Sequence, residues 1–285
     1  MNLLHHAADR RSVAFAVLAV AVPLVQWTGA LRHPALYAAG LVLAFLACVV
    51  NHNHQHHPTF RSAPLDRLFG ALLTAAVGQP ASAIIPLHNV VHHGRNNAPD
   101  DFVRASLVRF RWNLLNLLVF PFAAIRGYWN EKSRSIRDWQ TAHPGRHRQF
   151  RFERIVLAAY LAPLLLAGPA ETLIYVALPW AFGQWGILAI NLVQHDGCDP
   201  RSEYGHSRDF AGRFLNWWVL NNGYHTAHHL RPGLHWSLLP AAHARIRDRV
   251  APGLEEASFA GALARMYLWP GRRPGPPVGC GGLSA

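Results

Sequence analysis

The chain has 285 residues, a length that would allow one or two soluble domains, but with 51% hydrophobic and only 15% charged residues it points instead to a chain partly dissolved in lipid. Its net charge of +12 comes from 26 Arg and one Lys against 15 acids. No nucleic-acid module accompanies that charge, so no nucleic-acid partner is expected, and the arginines suit anionic lipid beside apolar segments.

The polar start, residues 1–12, carries Arg10 and Arg11. From Val13 to Leu31 runs a charge-free stretch of 19 residues, long enough to cross about 30 Å of hydrocarbon and longer than the apolar region of a signal peptide. Arg32-His33-Pro34 turns into a second run, Ala35 to Val50, which ends directly in NHNHQHHP. The pair predicts a transmembrane hairpin whose second helix carries a first histidine box out of the membrane. There His52 and His56 stand at i and i+4, His54 points away, and His57 competes with His56 through its five-residue offset.

Leu68 to Leu87 is apolar but broken by Gly78-Gln79-Pro80, which predicts helices at the interface. A second box follows, His88, His92 and His93, expected on one helical face. Asn97, Asp100 and Asp101 come next, as acceptors for imidazole N–H groups or as ordinary turn residues. The segment Asn113–Ile125 is too short to span and contains Pro121, and residues 126–154 are rich in Arg, a docking face for an acidic electron carrier or a solvated or lipid-facing one. His143-Pro-Gly-Arg146 within it reads as a turn.

Two further apolar runs, Ile155 to Leu166 extending to Ala170, and Leu173 to Leu192, form a second hairpin around Gly168-Pro169-Ala170-Glu171. The last run closes on Asn191 and His195, one helical turn apart at a membrane exit, where a polar pair is costly unless it is functional. The third box, His225, His228 and His229, lies in NNGYHTAHHLRPGLHW with the same face-sharing spacing. Residues 271–285 are expected to be a disordered tail behind one domain, 1–270.

The expected fold is therefore an all-α integral membrane protein: two transmembrane hairpins, four spans, and a cytoplasmic helical cap carrying the boxes. Nearly all Arg lie outside the hairpin turns, which places both termini and every box on the cytoplasmic side, in a bacterial inner membrane.

Nine imidazoles, His52, His56, His88, His92, His93, His195, His225, His228 and His229, are too many for one tetrahedral zinc and suit two ions with positions left open. Iron, zinc, copper and nickel all accept such ligands. Cys48, Cys198 and Cys280 form no CxxC, so thiolates do not contribute. A metal transporter would need polar residues inside the spans, and the first two runs offer almost none.

The motifs HNHQH, HNVVHHGRNN, NLVQHDG and NNGYHTAHHLRPGLHWSLLPAAH, in this order, resemble those of the membrane fatty acid desaturases and the related alkane and acyl-chain hydroxylases over most of residues 13–245. The resemblance implies a centre of two iron ions held by those nine histidines, with O2 as co-substrate, attacking an unactivated C–H bond of a lipid or acyl chain. It also gives Asn191 a water-mediated contact with that centre. The three residues between His88 and His92 and the NxxQHxG motif lean toward the hydroxylases, whereas Leu230, Pro232, Leu239, Pro240 and His243 lean toward the acyl-lipid desaturases.

Desaturation of a fatty acyl chain is the leading expectation, and hydroxylation or ketolation of an alkyl, acyl or terpenoid substrate is the alternative. With no cysteine set, Rossmann fingerprint or P-loop in the chain, electrons are expected from a separate carrier of ferredoxin, rubredoxin or cytochrome type. His195 should be indispensable. His147 and His206, outside any box, should be nearly silent when replaced.

Overall fold

A charge-free run becomes a membrane-length helix only where the backbone stays helical throughout it. The computed structural model describes residues 3–98 and 101–268, without the side chains of 128–140, and it shows where that condition holds. Asp100 and the tail 271–285 lie outside the described residues.

Helix α1, Arg10–Trp27, starts on two arginines and ends at Thr28, with Gly29 at φ 79° just beyond. Helix α2, Pro34–His56, is capped by His33, whose Nδ1 accepts from Ala35 N, with Pro34 in the first position. Helix α3, Ala63–Val77, closes on Gly78 at φ 72°. A 3-10 turn, Ala81–Ile84, then leads into a π-helical stretch, Ile85–His92, and a last turn α4, His93–Arg95. Further on come α5, Asn113–Ala142, and α6, Pro144–Ala167. A near-continuous apolar rod follows, made of α7, Pro169–Thr172, a π turn, Leu173–Ala177, and α8, Leu178–His195.

Four spans were expected; the described residues contain two helices long and apolar enough to cross a membrane, Pro34–His56 and Pro169–His195. A third counts only if Ala63–Val77 and Ala81–Arg95, bent by 83°, are one broken span. The two-hairpin fold is thereby corrected, for a geometric reason. The first run extends to Leu31, but its helix stops at Trp27, so only Val13–Trp27 is helical and reaches about 22 Å at 1.5 Å per residue. In α6 the leading turns carry Arg146, Arg148, Arg151 and Arg154, leaving Ile155–Ala167, about 20 Å. Each expected hairpin thus supplies one spanning helix and one shorter companion. Membrane association stands on those two helices.

The chain divides into two compact units. The first comprises Met1–Leu87 and Ser133–Ile187. Its core is built from small residues, Ala19, Ala47, Cys48, Ala76 and Val77, which let helix backbones approach closely. Closest is Gly183 of α8, where a Cβ would lie 2.6 Å from the Ala44 carbonyl oxygen of α2. Trp180 Nε1 donates to Ala75 O at 3.0 Å and lays its indole over Gly78, where a Cβ would collide with the ring. Glu153 of α6, 1% exposed, accepts from Ser82 N at 2.9 Å and Ser82 Oγ at 2.6 Å, which pins the chain just past the Gly78-Gln79-Pro80 break. Outward-facing Leu166, Ile155, Leu173, Val17 and Leu18 are exposed, the surface expected of helices solvated by lipid.

The second unit comprises His88–Lys132 and Leu188–Ala285. Its core gathers Phe120, Leu192, Val193, Phe210 and Tyr267, all essentially fully buried. Two-residue strands, β1 Asp209–Phe210 and β2 Glu255–Glu256, pair in parallel. Buried Arg208 ties the same region together, donating to Gly253 O at 2.9 Å and reaching Glu256 at 3.2 Å. Between the strands lie short helices α9, Arg213–Trp218, α10, His225–Leu230, and α11, Leu239–Ala244, and α12, Phe259–Leu263, follows them.

Candidate metal centre

The second box is wound as a π-helix, and that winding redistributes its histidines. With hydrogen bonds of i→i+5 type, residues five apart come onto one face. His88 and His93 accordingly meet, Nε2 to Nε2, at 3.1 Å. His92 turns elsewhere, its Nδ1 donating to Asp101 Oδ2 at 2.7 Å. The third box divides as well. On α10, His225 and His229, four apart, bring their rings to 4.6 Å, while His228 Nε2 reaches His93 Nε2 at 3.2 Å. The expectation that each box shares a single face is thus replaced by a sorting of each box between two groups.

One group in the second unit is His88, His93 and His228; the other is His92, His195, His225 and His229, whose ligand nitrogens all lie within 4.8 Å of one another. They adjoin, with the His93 and His229 rings 4.4 Å apart. His195 comes from the end of α8 and meets His225, Nε2 to Nε2, at 3.0 Å. In the first unit, His52 and His56 face each other on the last turn of α2, ring centroids 4.8 Å apart. His54 points away, to Thr59 Oγ1 at 3.1 Å, and His57, where the helix has ended, packs edge-on against His5 and His6.

Tautomers are fixed from outside the groups. Asp101 Oδ2 takes the Nδ1 proton of His92, and the His206 carbonyl takes that of His195 at 3.1 Å, so both rings turn an Nε2 lone pair inward. Burial alone would raise the Asp101 carboxyl, but hydrogen bonds from His92, Val103 and Asn97 outweigh it and hold the group below its ordinary value as a carboxylate. Asp101 is therefore turn residue and histidine partner at once. Asn97 serves the turn, with its Oδ1 accepting from Ala105 N. Burial, followed by the neighbouring imidazoles, pushes His229 well below the ordinary histidine value and keeps it neutral.

The approach to the third box is held by a residue with no signal in the sequence. Asn216 Nδ2 donates to Phe210 O at 2.6 Å and its Oδ1 accepts from Gly223 N at 3.1 Å, bracing a loop in which Leu220 and Asn221 both have positive φ. Asp209, fully buried, receives Thr226 N at 2.8 Å and faces His243, which also bonds Glu255 at 3.0 Å. Burial raises Asp209 to about 6.

These residues fit a pair of metal ions. His92 Nε2 and His229 Nε2 are buried and have no hydrogen-bond partner. The Nε2 separations of 3.0, 3.1 and 3.2 Å are those of neighbouring ligands on one ion, since bonds of about 2.1 Å at right angles place nitrogens about 3 Å apart. A neutral, all-imidazole donor set of this size accepts iron.

The sequence model of the fatty acid desaturases matches residues 12–258. The chain belongs to that family. No curated protein matches it with significance. Family and histidine groups together make the protein a histidine-coordinated di-iron oxidoreductase acting on a lipid or acyl-like substrate. In this desaturase-family centre Asn191, one turn before His195 on α8, donates through Nδ2 to Val103 O at 3.2 Å. Two residues outside the predicted set are built into the site, Asp209 behind α10 and His206. The latter is 3% exposed, beside the His229 ring at 5.3 Å, not the surface residue its polar sequence surroundings suggested.

Proposed function

We propose that the protein desaturates a fatty acyl chain, using O2 and electrons from a separate ferredoxin-, rubredoxin- or cytochrome-type carrier. The observation that carries the reading is the pair of adjoining histidine groups with inward Nε2 lone pairs, in a chain of the desaturase family. His88, His93 and His228 would hold one iron and His92, His195, His225 and His229 the other, and the motif resemblance adds His52 and His56 to the ligand set. Bound there, the irons supply O2 activation for C–H cleavage. The chain's own part is to orient each imidazole, through Asp101 for His92 and the His206 carbonyl for His195. Asn191 contacts the centre through a water. The boxes face the cytoplasm of a bacterial inner membrane, an orientation supported by the Arg-rich composition outside the apolar runs.

The lipid profile of an expressing host, read by mass spectrometry, tests this. Loss of two hydrogens from an acyl chain is the expected result. Gain of one oxygen is the outcome for the hydroxylase reading, which the HxxxHH spacing and the NxxQHxG motif favour.

A further inference from the structure

His206 and the cavity in front of it have a chemistry of their own. The cavity, about 240 Å³, is walled within the second unit by His206, His229, His93 and Asn96, with Arg201 and Glu203 at its mouth. It therefore runs from solvent to both histidine groups. Arg201 is 89% exposed and stands beside Asp199, and Glu203 adds a second carboxylate, so the mouth has no excess of positive charge to draw in an anion.

The inner wall is more selective. His206 Nδ1 faces the Ser202 carbonyl at 3.2 Å and must donate to it, so in the neutral ring Nε2 is left as an acceptor. That Nε2 is buried and has no partner. Asn96 spends its amide on Pro200 O at 3.3 Å, and its carbonyl oxygen Oδ1 is likewise buried without a partner. Two acceptors thus line the passage. A guest must bring protons to both, and an anion would meet only lone pairs.

We propose that this cavity is a binding site for small neutral hydrogen-bond donors, with water its natural occupant, held by His206 Nε2 and Asn96 Oδ1 as the solvent connection of the metal centre. Its place beside the irons rests on the functional reading above; its selectivity for donors rests on the wall alone. About one probe sphere of space is enough for a water, and two polar partners are enough to hold it. His206 is then a positioning residue twice over. Its carbonyl orients His195, and its ring orders the water.

A density map of the purified full-length protein at a resolution that shows waters decides the matter, with iron content measured on the same sample. The expected result is an ordered water within hydrogen-bond distance of His206 Nε2 and Asn96 Oδ1. It should be lost in His206→Leu and in Asn96→Leu and retained in His206→Gln, which keeps a hydrogen-bonding group there. Formamide, a neutral molecule whose NH2 can donate to both acceptors, should replace the water in density when added to the sample, and azide should not. A dry cavity, or azide seated on the two acceptors, overturns the proposal. Iron absent from a sample that shows the water refutes the functional reading and leaves the donor-selective site standing. Iron present with a dry cavity does the reverse.

Discussion

Replacing Asp101 by Asn removes a charge and almost no volume, and its effect follows from counting acceptors. Asp101 Oδ2 receives His92 Nδ1 at 2.7 Å and Asn97 N at 2.9 Å, and Oδ1 receives Val103 N at 3.0 Å. Asparagine has oxygen on only one arm. Turned toward His92, it keeps two of the three donors and presents its NH2 to the Val103 N–H. Turned the other way, it abandons two. The first orientation wins and leaves one buried donor unsatisfied, a cost of about 1–3 kcal/mol to stability. His92 then donates to a neutral oxygen, which makes its Nε2 a poorer ligand, and iron affinity should fall roughly 10–100-fold, or about 1.4–2.7 kcal/mol. Iron competition against a chelator, paired with a melting curve of the metal-free variant, separates the two effects. A lowered melting temperature with wild-type iron affinity would refute the reasoning and reduce Asp101 to a turn residue.

In His195→Ala, one imidazole leaves the His92–His225–His229 group with no sequence neighbour to replace it. Bound iron should fall from two towards one per chain and product should vanish; two irons measured per chain would remove His195 from the ligand set. Gly183→Ala drives a methyl to 2.6 Å from the Ala44 carbonyl, a backbone atom that cannot swing aside, so α2 and α8 must part. The cost of about 1–3 kcal/mol exceeds the roughly 1 kcal/mol gained in helix propensity, and an unchanged melting temperature in detergent would contradict it. Asn216→Ala frees the loop before the third box, and limited proteolysis should cut near Leu220, where the wild type resists. Glu153 is raised by burial above 4.5, despite hydrogen bonds from Ser82 and Gln149. Its folded form therefore favours the proton, and its contribution to stability is largest below about pH 4.5 and declines as pH rises through the folded value. Glu153→Gln should flatten that decline; parallel melting profiles from pH 4 to 8 would show that another group carries it.

The histidine boxes were legible because ligand spacing is local, and the helices Pro34–His56 and Pro169–His195 because apolar length is local. What the chain did not announce depends on partners distant in sequence or on backbone winding. Asp101 was visible as a candidate, nine residues after His92, yet its two roles could not be separated without the fold. Glu153 reaches Ser82 across 71 positions, and nothing near it marks that purpose. His206 looked like a solvated residue among polar neighbours, and burial by the fold gave it a place beside His229. The four-span expectation failed because it counted uncharged residues, where the relevant length is that of the helix they form.

The π-helical winding of the second box changes what its spacing signifies. A single residue added to an α-helix can be absorbed as one wide turn, which shifts the phase of everything before it and leaves everything after it in place. In Ile85–His92 the wide turn is what brings His88 to His93 while His92 stays on Asp101. The three residues between His88 and His92, which leaned toward hydroxylases in the sequence, thus also have a geometric role: with the π winding they set His88 against His93 and leave His92 on Asp101, whichever product the substrate becomes.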